Sequence, residues 1–79
     1  MRLDKFLKVS RLITRRTVAA EACDAGRVSV NGQAAKAGKE IKVGDTIAIS
    51  FGDKTVTVRV LALNETTKKE DADSMFEYI

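Results

Sequence analysis

The stretch RRTVAAEACDAGRVSVNG, residues Arg15–Gly32, switches from one hydrophobic period to another halfway along. Ala19, Ala22 and Cys23 recur at i, i+3 and i+4, the spacing of a helix that buries one narrow stripe. Small residues on that stripe let the helix approach a sheet closely. Thr14 stands where an N-cap belongs, so the helix is expected to run from Thr14 to about Ala25, with Gly26 as its left-handed stop. Beyond Gly26 the period is two: Val28 and Val30 alternate with Ser29, and Asn31-Gly32 signals a tight turn. A helix running directly into a hairpin points to an α+β fold.

Upstream, Leu3, Phe6 and Leu7 mark a short helix ending near Val9-Ser10, with Arg2, Lys5 and Lys8 off its apolar stripe. Downstream, Gln33 to Lys36 can return as a short strand, Ala37 to Glu40 reads as a loop, and Val43-Gly44-Asp45 as a turn. Ile47, Ile49 and Phe51 alternate with Ala48 and Ser50. After Gly52-Asp53, Val56, Val58 and Val60 alternate with Thr57 and Arg59, giving a second hairpin with one apolar face. Phe6 and Phe51 are expected in the core. The expected architecture is two N-terminal helices packed on a small, mainly antiparallel sheet, with residues 1–63 as the domain and 64–79 as an acidic and apolar tail. Asn64 to Ser74 reads as a loose helix or a disordered segment. Met75 and Phe76 are expected to dock on the open side of the sheet.

Charge is distributed unevenly. Arg2, Lys5, Lys8, Arg11, Arg15 and Arg16 face only Asp4 within residues 1–16, a balance of +6 − 1 = +5 in a chain whose total is +3. Positions 17–63 carry six basic and five acidic residues, and positions 64–79 two and five, so the tail is net −3. Cations gathered at one end of a small domain form an electrostatic footprint for a polyanion. Several classes of chemistry lose support at the same time. The chain has no histidine and one cysteine, Cys23, which leaves no imidazole base, no thiolate cluster for zinc and no internal disulfide. No Gly-rich phosphate loop, long apolar span or signal-peptide core occurs in the sequence. The expectation is a cytoplasmic, non-enzymatic protein without cofactor or metal.

RLDKFL (Arg2–Leu7), RRTVAAEACDAGRVSVNG (Arg15–Gly32) and VGDTIAI (Val43–Ile49) together resemble the alpha-L RNA-binding motif, the S-four domain. The likeness covers about residues 1–50 and rests on the order of the pieces, since either turn alone is common. It implies a face made by the two helices and the adjoining strand that holds structured RNA, and it points to Arg2, Lys5, Arg15 and Arg16 on that face. Many members have Ser-Arg where this chain has Arg15-Arg16, so the resemblance carries to Arg16 more directly than to Arg15. A proline frequent in the family is missing at Lys36-Ala37. Among free-standing S-four proteins, the opening MRLDKFLKVSRLI, the doubled arginine, the FGDKTVTVRV hairpin and the TTKKE segment are most similar to the RqcP type. The heat-shock protein fifteen type tends to carry a basic extension instead of an acidic tail. The expected state is a monomer, and that likeness implies action on the stalled large ribosomal subunit, touching ribosomal RNA and P-site tRNA. It further implies work with a tRNA-recruiting quality-control protein, and support for C-terminal alanine tailing.

The physics agrees with that implication. RNA duplexes hide their base edges in a deep, narrow groove, so a compact basic face grips phosphates and shape instead. Arginine suits this because its planar fork can bridge two phosphate oxygens. Lys8 and Arg11 complete the candidate set with Arg2, Lys5, Arg15 and Arg16. The alternative for Arg11, Arg15 and Arg16 is an ordinary solvated helix surface. Other readings of the whole are a module for large-subunit assembly or recycling, or an adaptor whose basic face meets an acidic protein. Asp4 reads as a capping or intramolecular ion-pair residue.

Overall fold

A computed structural model gives the fold and describes residues 1–63 and 73–79. Helices α1 (Leu3–Val9) and α2 (Arg16–Asp24) precede strands β1 (Val28–Val30), β2 (Gln33–Ala34), β3 (Thr46–Phe51), β4 (Lys54–Val60) and β5 (Phe76–Tyr78). The strands form one five-stranded sheet in the order β2-β1-β3-β4-β5, and every pairing is antiparallel. The expected α+β architecture is therefore observed. Both helices pack on the sheet because the apolar stripes read from the sequence converge. Leu3, Phe6 and Leu7 from α1 and Ala19 and Cys23 from α2 join Val28, Ile47, Ile49, Val58 and Val60 in a single core.

The ends of α2 show how local chemistry sets its bounds. Gly26, at φ +79, turns the chain so that its own N–H reaches the Cys23 carbonyl and the Arg27 N–H reaches the Ala22 carbonyl, each at 3.0 Å. The last carbonyls of the helix are thus satisfied. The start differs from expectation. Thr14 does not cap α2; Arg15 does, with extended backbone at φ −117 and ψ 129 and no side-chain cap bond. The reason lies in the preceding turn. Arg11 adopts left-handed backbone at φ 64, and the Ile13 N–H bonds the Leu7 carbonyl at 3.0 Å. This turn pulls Ile13 into the core and leaves Thr14 exposed, one residue short of the helix.

Asn31 (φ 53) and Gly32 (φ 84) make the tight turn of the first hairpin, in register Val30 opposite Gln33. Asn31 has a further role: its side chain accepts the Thr46 N–H (3.0 Å) and donates to Asp45 Oδ1 (3.2 Å), while its N–H bonds the Thr46 carbonyl (2.7 Å). The hairpin is thereby pinned to the start of β3. Phe51 is the second correction. It ends β3 opposite Lys54 at the hairpin tip and is 45% exposed, because the tip lacks apolar neighbours enough to enclose a ring. At the C-terminus, Met75 and Phe76 are buried, and β5 pairs with β4 as the fifth strand. Residues Asp73–Met75 form one 3-10 turn, so the apolar end enters as turn and strand. The expectation of a loose helix or disorder over Asn64–Ser74, with Lys68 and Lys69, falls largely on residues outside those described.

Candidate nucleic-acid interface

Asp4 organises the basic end of the molecule. Its side chain is only 5% exposed, and a buried carboxylate is costly unless compensated. Three donors compensate it: Arg2 Nε lies 3.3 Å from Oδ1, Arg16 Nε 3.4 Å from Oδ2, and the Lys5 N–H donates to Oδ1 at 2.8 Å. Both arginines engage through Nε, and their side chains stay 55% and 48% exposed. One carboxylate from α1 therefore brings together residues twelve or more positions apart in sequence, at the junction of α1 and α2. Ion pairs this wet add little stability. Their value is geometric.

The loop after β2 holds the same corner from the other side. The N–H groups of Leu3 and Asp4, which have no partner inside α1, bond the Lys39 carbonyl (2.8 Å) and the Ala37 carbonyl (3.2 Å). Arg2 pairs with Glu40 in an antiparallel bridge, and Ile41, buried, donates its N–H to Met1 O at 3.0 Å. The Arg2 guanidinium lies beside Gly38, where an added Cβ would stand 3.9 Å from Nη2. Neither helix of the sequence reading foretold this loop contact, because residues 1–4 and 37–41 are brought together only by the tertiary fold.

The other expected site residues lie on α1, in the turn that follows it and at the start of α2. Lys5 and Lys8, three positions apart on α1, share its outward side; Lys5 is half-buried and Lys8 exposed. Arg15 is exposed at the start of α2, beside Arg16. Arg11 is exposed in the turn between the helices. Among the described residues, no ion pair anchors Lys8, Arg11 or Arg15, so the structure joins Arg2 and Arg16 through Asp4 and ties none of the other three to them. Cys23 belongs to the core, 1% exposed, and burial together with the nearby Asp4 and Asp24 carboxylates pushes its thiol from 9.0 up to about 11. It is a small hydrophobe here rather than a nucleophile. Among the described residues, no cluster of His, Cys, Asp or Glu could hold a metal ion, and no helix is long and apolar enough to cross a membrane.

Comparison with known proteins places the chain. The S4 domain family matches residues 1–47. An RQC P-site tRNA stabilizing factor of Bacillus subtilis is 59% identical over 96% of this chain and 88% of its own length. That of Halalkalibacterium halodurans is 57% identical over 98% and 88%. Among solved structures, trimeric Heat Shock Protein 15 of Vibrio cholerae superposes with a TM-score of 0.93 at 26% identity, covering 100% of this chain and 81% of that one. On that family match and those identities, the chain belongs to the S4 domain family and, within it, to the family of the RQC P-site tRNA stabilizing factors.

Proposed function

We propose that this protein is an RNA-binding factor of ribosome-associated quality control that holds P-site tRNA on the large ribosomal subunit, contacting ribosomal RNA at the same time. The observation that carries the reading is the pair of half-exposed guanidinium groups set side by side by Asp4. With Nε tied down, each arginine still presents its terminal nitrogens, the part that forks onto phosphate oxygens. Lys5, Lys8, Arg11 and Arg15 extend the cationic surface around that pair. The residues named contain no acid–base or nucleophilic arrangement, so the role is that of a binding factor without catalysis. A factor that stabilises tRNA on an obstructed subunit supports template-free C-terminal alanine tailing, in concert with the protein that recruits the tRNA. The setting is the cytoplasm and the working state a monomer. The grip belongs to residues 1–63, while the end of segment 64–79 completes the sheet.

The test is Arg2→Ala and Arg16→Ala, each with the fold checked by circular dichroism. Losing one charge-assisted phosphate contact costs about 1.5–3 kcal/mol, so each variant should co-sediment with large subunits at least tenfold more weakly. Parent-like co-sedimentation by both would show that these arginines are not the site. Lys54→Ala, on the β3–β4 turn, should behave like the parent. The parent's own affinity should fall with potassium chloride along a log–log slope of about −3 to −5, reflecting four to six phosphates. Light scattering on the free protein decides between a monomer and a trimer of the kind seen for Heat Shock Protein 15.

A further inference from the structure

The cationic corner does not end at the opening helices. The loop that clamps the start of α1 continues back to β2, and between them lies an open cleft of about 500 Å³ lined by Val30, Asn31, Gln33, Ala34, Ala35, Lys36 and Lys39. Lys36 and Lys39 are exposed and are the only charged residues of that lining. The acidic residues nearest in sequence are otherwise engaged: Glu40 pairs with the Met1 ammonium, and Asp45 is bonded to Asn31 and the Lys42 N–H. The register adds a backbone donor. Ser29 opposite Ala34 is the outward-facing pair of the β1–β2 ladder, so Ala34 turns its N–H away from β1 at the free edge of the sheet.

We infer that this cleft is a second phosphate-binding limb, in which Lys36, Lys39 and the edge of β2 take the sugar-phosphate strand of the same structured RNA that Arg2 and Arg16 grip. The inference rests on the RNA-binding reading above. Two observations make the limb one surface with the corner. The Lys39 carbonyl is bonded to the Leu3 N–H at 2.8 Å, one residue from Arg2, and the Arg2 guanidinium lies against Gly38, between the two lysines in sequence. The wall opposite is also fixed, because Asn31 ties the hairpin to Asp45 and Thr46. Lys36 Nζ donates to the Asp24 carbonyl at 3.4 Å, and the Asp24 carboxylate accepts the Ala37 N–H at 3.4 Å; that exposed neutral acceptor is weaker for an ammonium than a phosphate oxygen, so a lining with two lysines and no carboxylate suits a phosphodiester strand.

The experiment compares parent, Lys36→Ala/Lys39→Ala, Arg2→Ala/Arg16→Ala and the charge control Lys54→Ala, all in the full chain. Binding to purified tRNA is measured by fluorescence anisotropy across a potassium chloride series, and to large subunits by co-sedimentation. The lysines are exposed, so circular dichroism and melting should be unchanged in their double variant. The inference expects that variant to bind tRNA about tenfold more weakly, with a log–log salt slope shallower by about 1.5, the share of two phosphates. An affinity and slope equal to those of Lys54→Ala would overturn the limb, while weak binding by Arg2→Ala/Arg16→Ala in the same series would leave the corner standing. Unchanged tRNA binding with lost co-sedimentation would place the cleft's contact on the subunit instead of on the tRNA that the arginines grip, and would equally overturn the inference. Failure of the parent to bind RNA in a salt-dependent way would remove both the limb and the reading beneath it.

Discussion

At the scale of single residues, the decisive side chain is an acid in a basic site. Asp4 subtracts a charge from the surface that should attract RNA, and averaged electrostatics would have Asp4→Asn bind more tightly. The geometry says the opposite. With the carboxylate gone, two flexible arginine side chains lose the anchor at Nε, and ordering them costs conformational entropy at the moment of binding. Asp4→Asn should therefore weaken tRNA binding about three- to tenfold by anisotropy at fixed salt, despite the added positive charge. A tighter complex would show that Asp4 is merely a counter-charge. Arg11 adds a second feature at this scale. Its left-handed backbone, at φ 64, carries a steric cost of about 1–2 kcal/mol that glycine would avoid.

At the scale of elements, the sheet is finished by the chain's last residues. Met75 is fully buried, its carbonyl accepts the Leu61 N–H at 2.8 Å and the Ala62 N–H at 3.2 Å, and Phe76 follows it into the core opposite Val60. Phe76 and Tyr78 then meet edge to face, with ring centroids 5.3 Å apart. Met75→Ala should cost about 2–5 kcal/mol of unfolding free energy, a large share of what so small a domain has. Urea denaturation measures it, and the fraction still folded should bind tRNA like the parent, because β5 lies across the sheet from β2. A loss below about 1 kcal/mol would show that this turn and strand are dispensable to the core.

At the scale of the whole molecule, the core and the basic face meet at Cys23 and Asp4. The folded thiol titrates near 11 against 9.0 for an ordinary one, so between those values the folded state holds the proton more tightly than the unfolded chain. Stability attributable to Cys23 is thus fully present below pH 9 and is lost as pH rises toward 11, by a total of about 2–3 kcal/mol for a two-unit shift. Subtracting the pH profile of Cys23→Ala from that of the parent isolates this component from lysine and tyrosine titration. A flat difference between pH 8 and 11 would contradict the raised value.

Two helices, four strands in their order and the basic character of the first sixteen residues were legible from the amino-acid sequence, whereas β5 was not. Those follow from local periodicity, turn chemistry at Asn31-Gly32 and Gly26, and charge, all of which act over a few residues. The sequence did not locate the start of α2, because the left-handed turn at Arg11 competes with a plausible cap at Thr14. It also misjudged Phe51, since alternation marks a face of a strand without saying where the cover ends. Long-range packing alone sets Asp4 between Arg2 and Arg16, bonds the Ala37–Ile41 loop to the start of α1, and adds β5 to the edge of the sheet beside β4. Each of those contacts joins segments far apart along the chain, and such pairings depend on how the whole core packs rather than on any neighbouring residues.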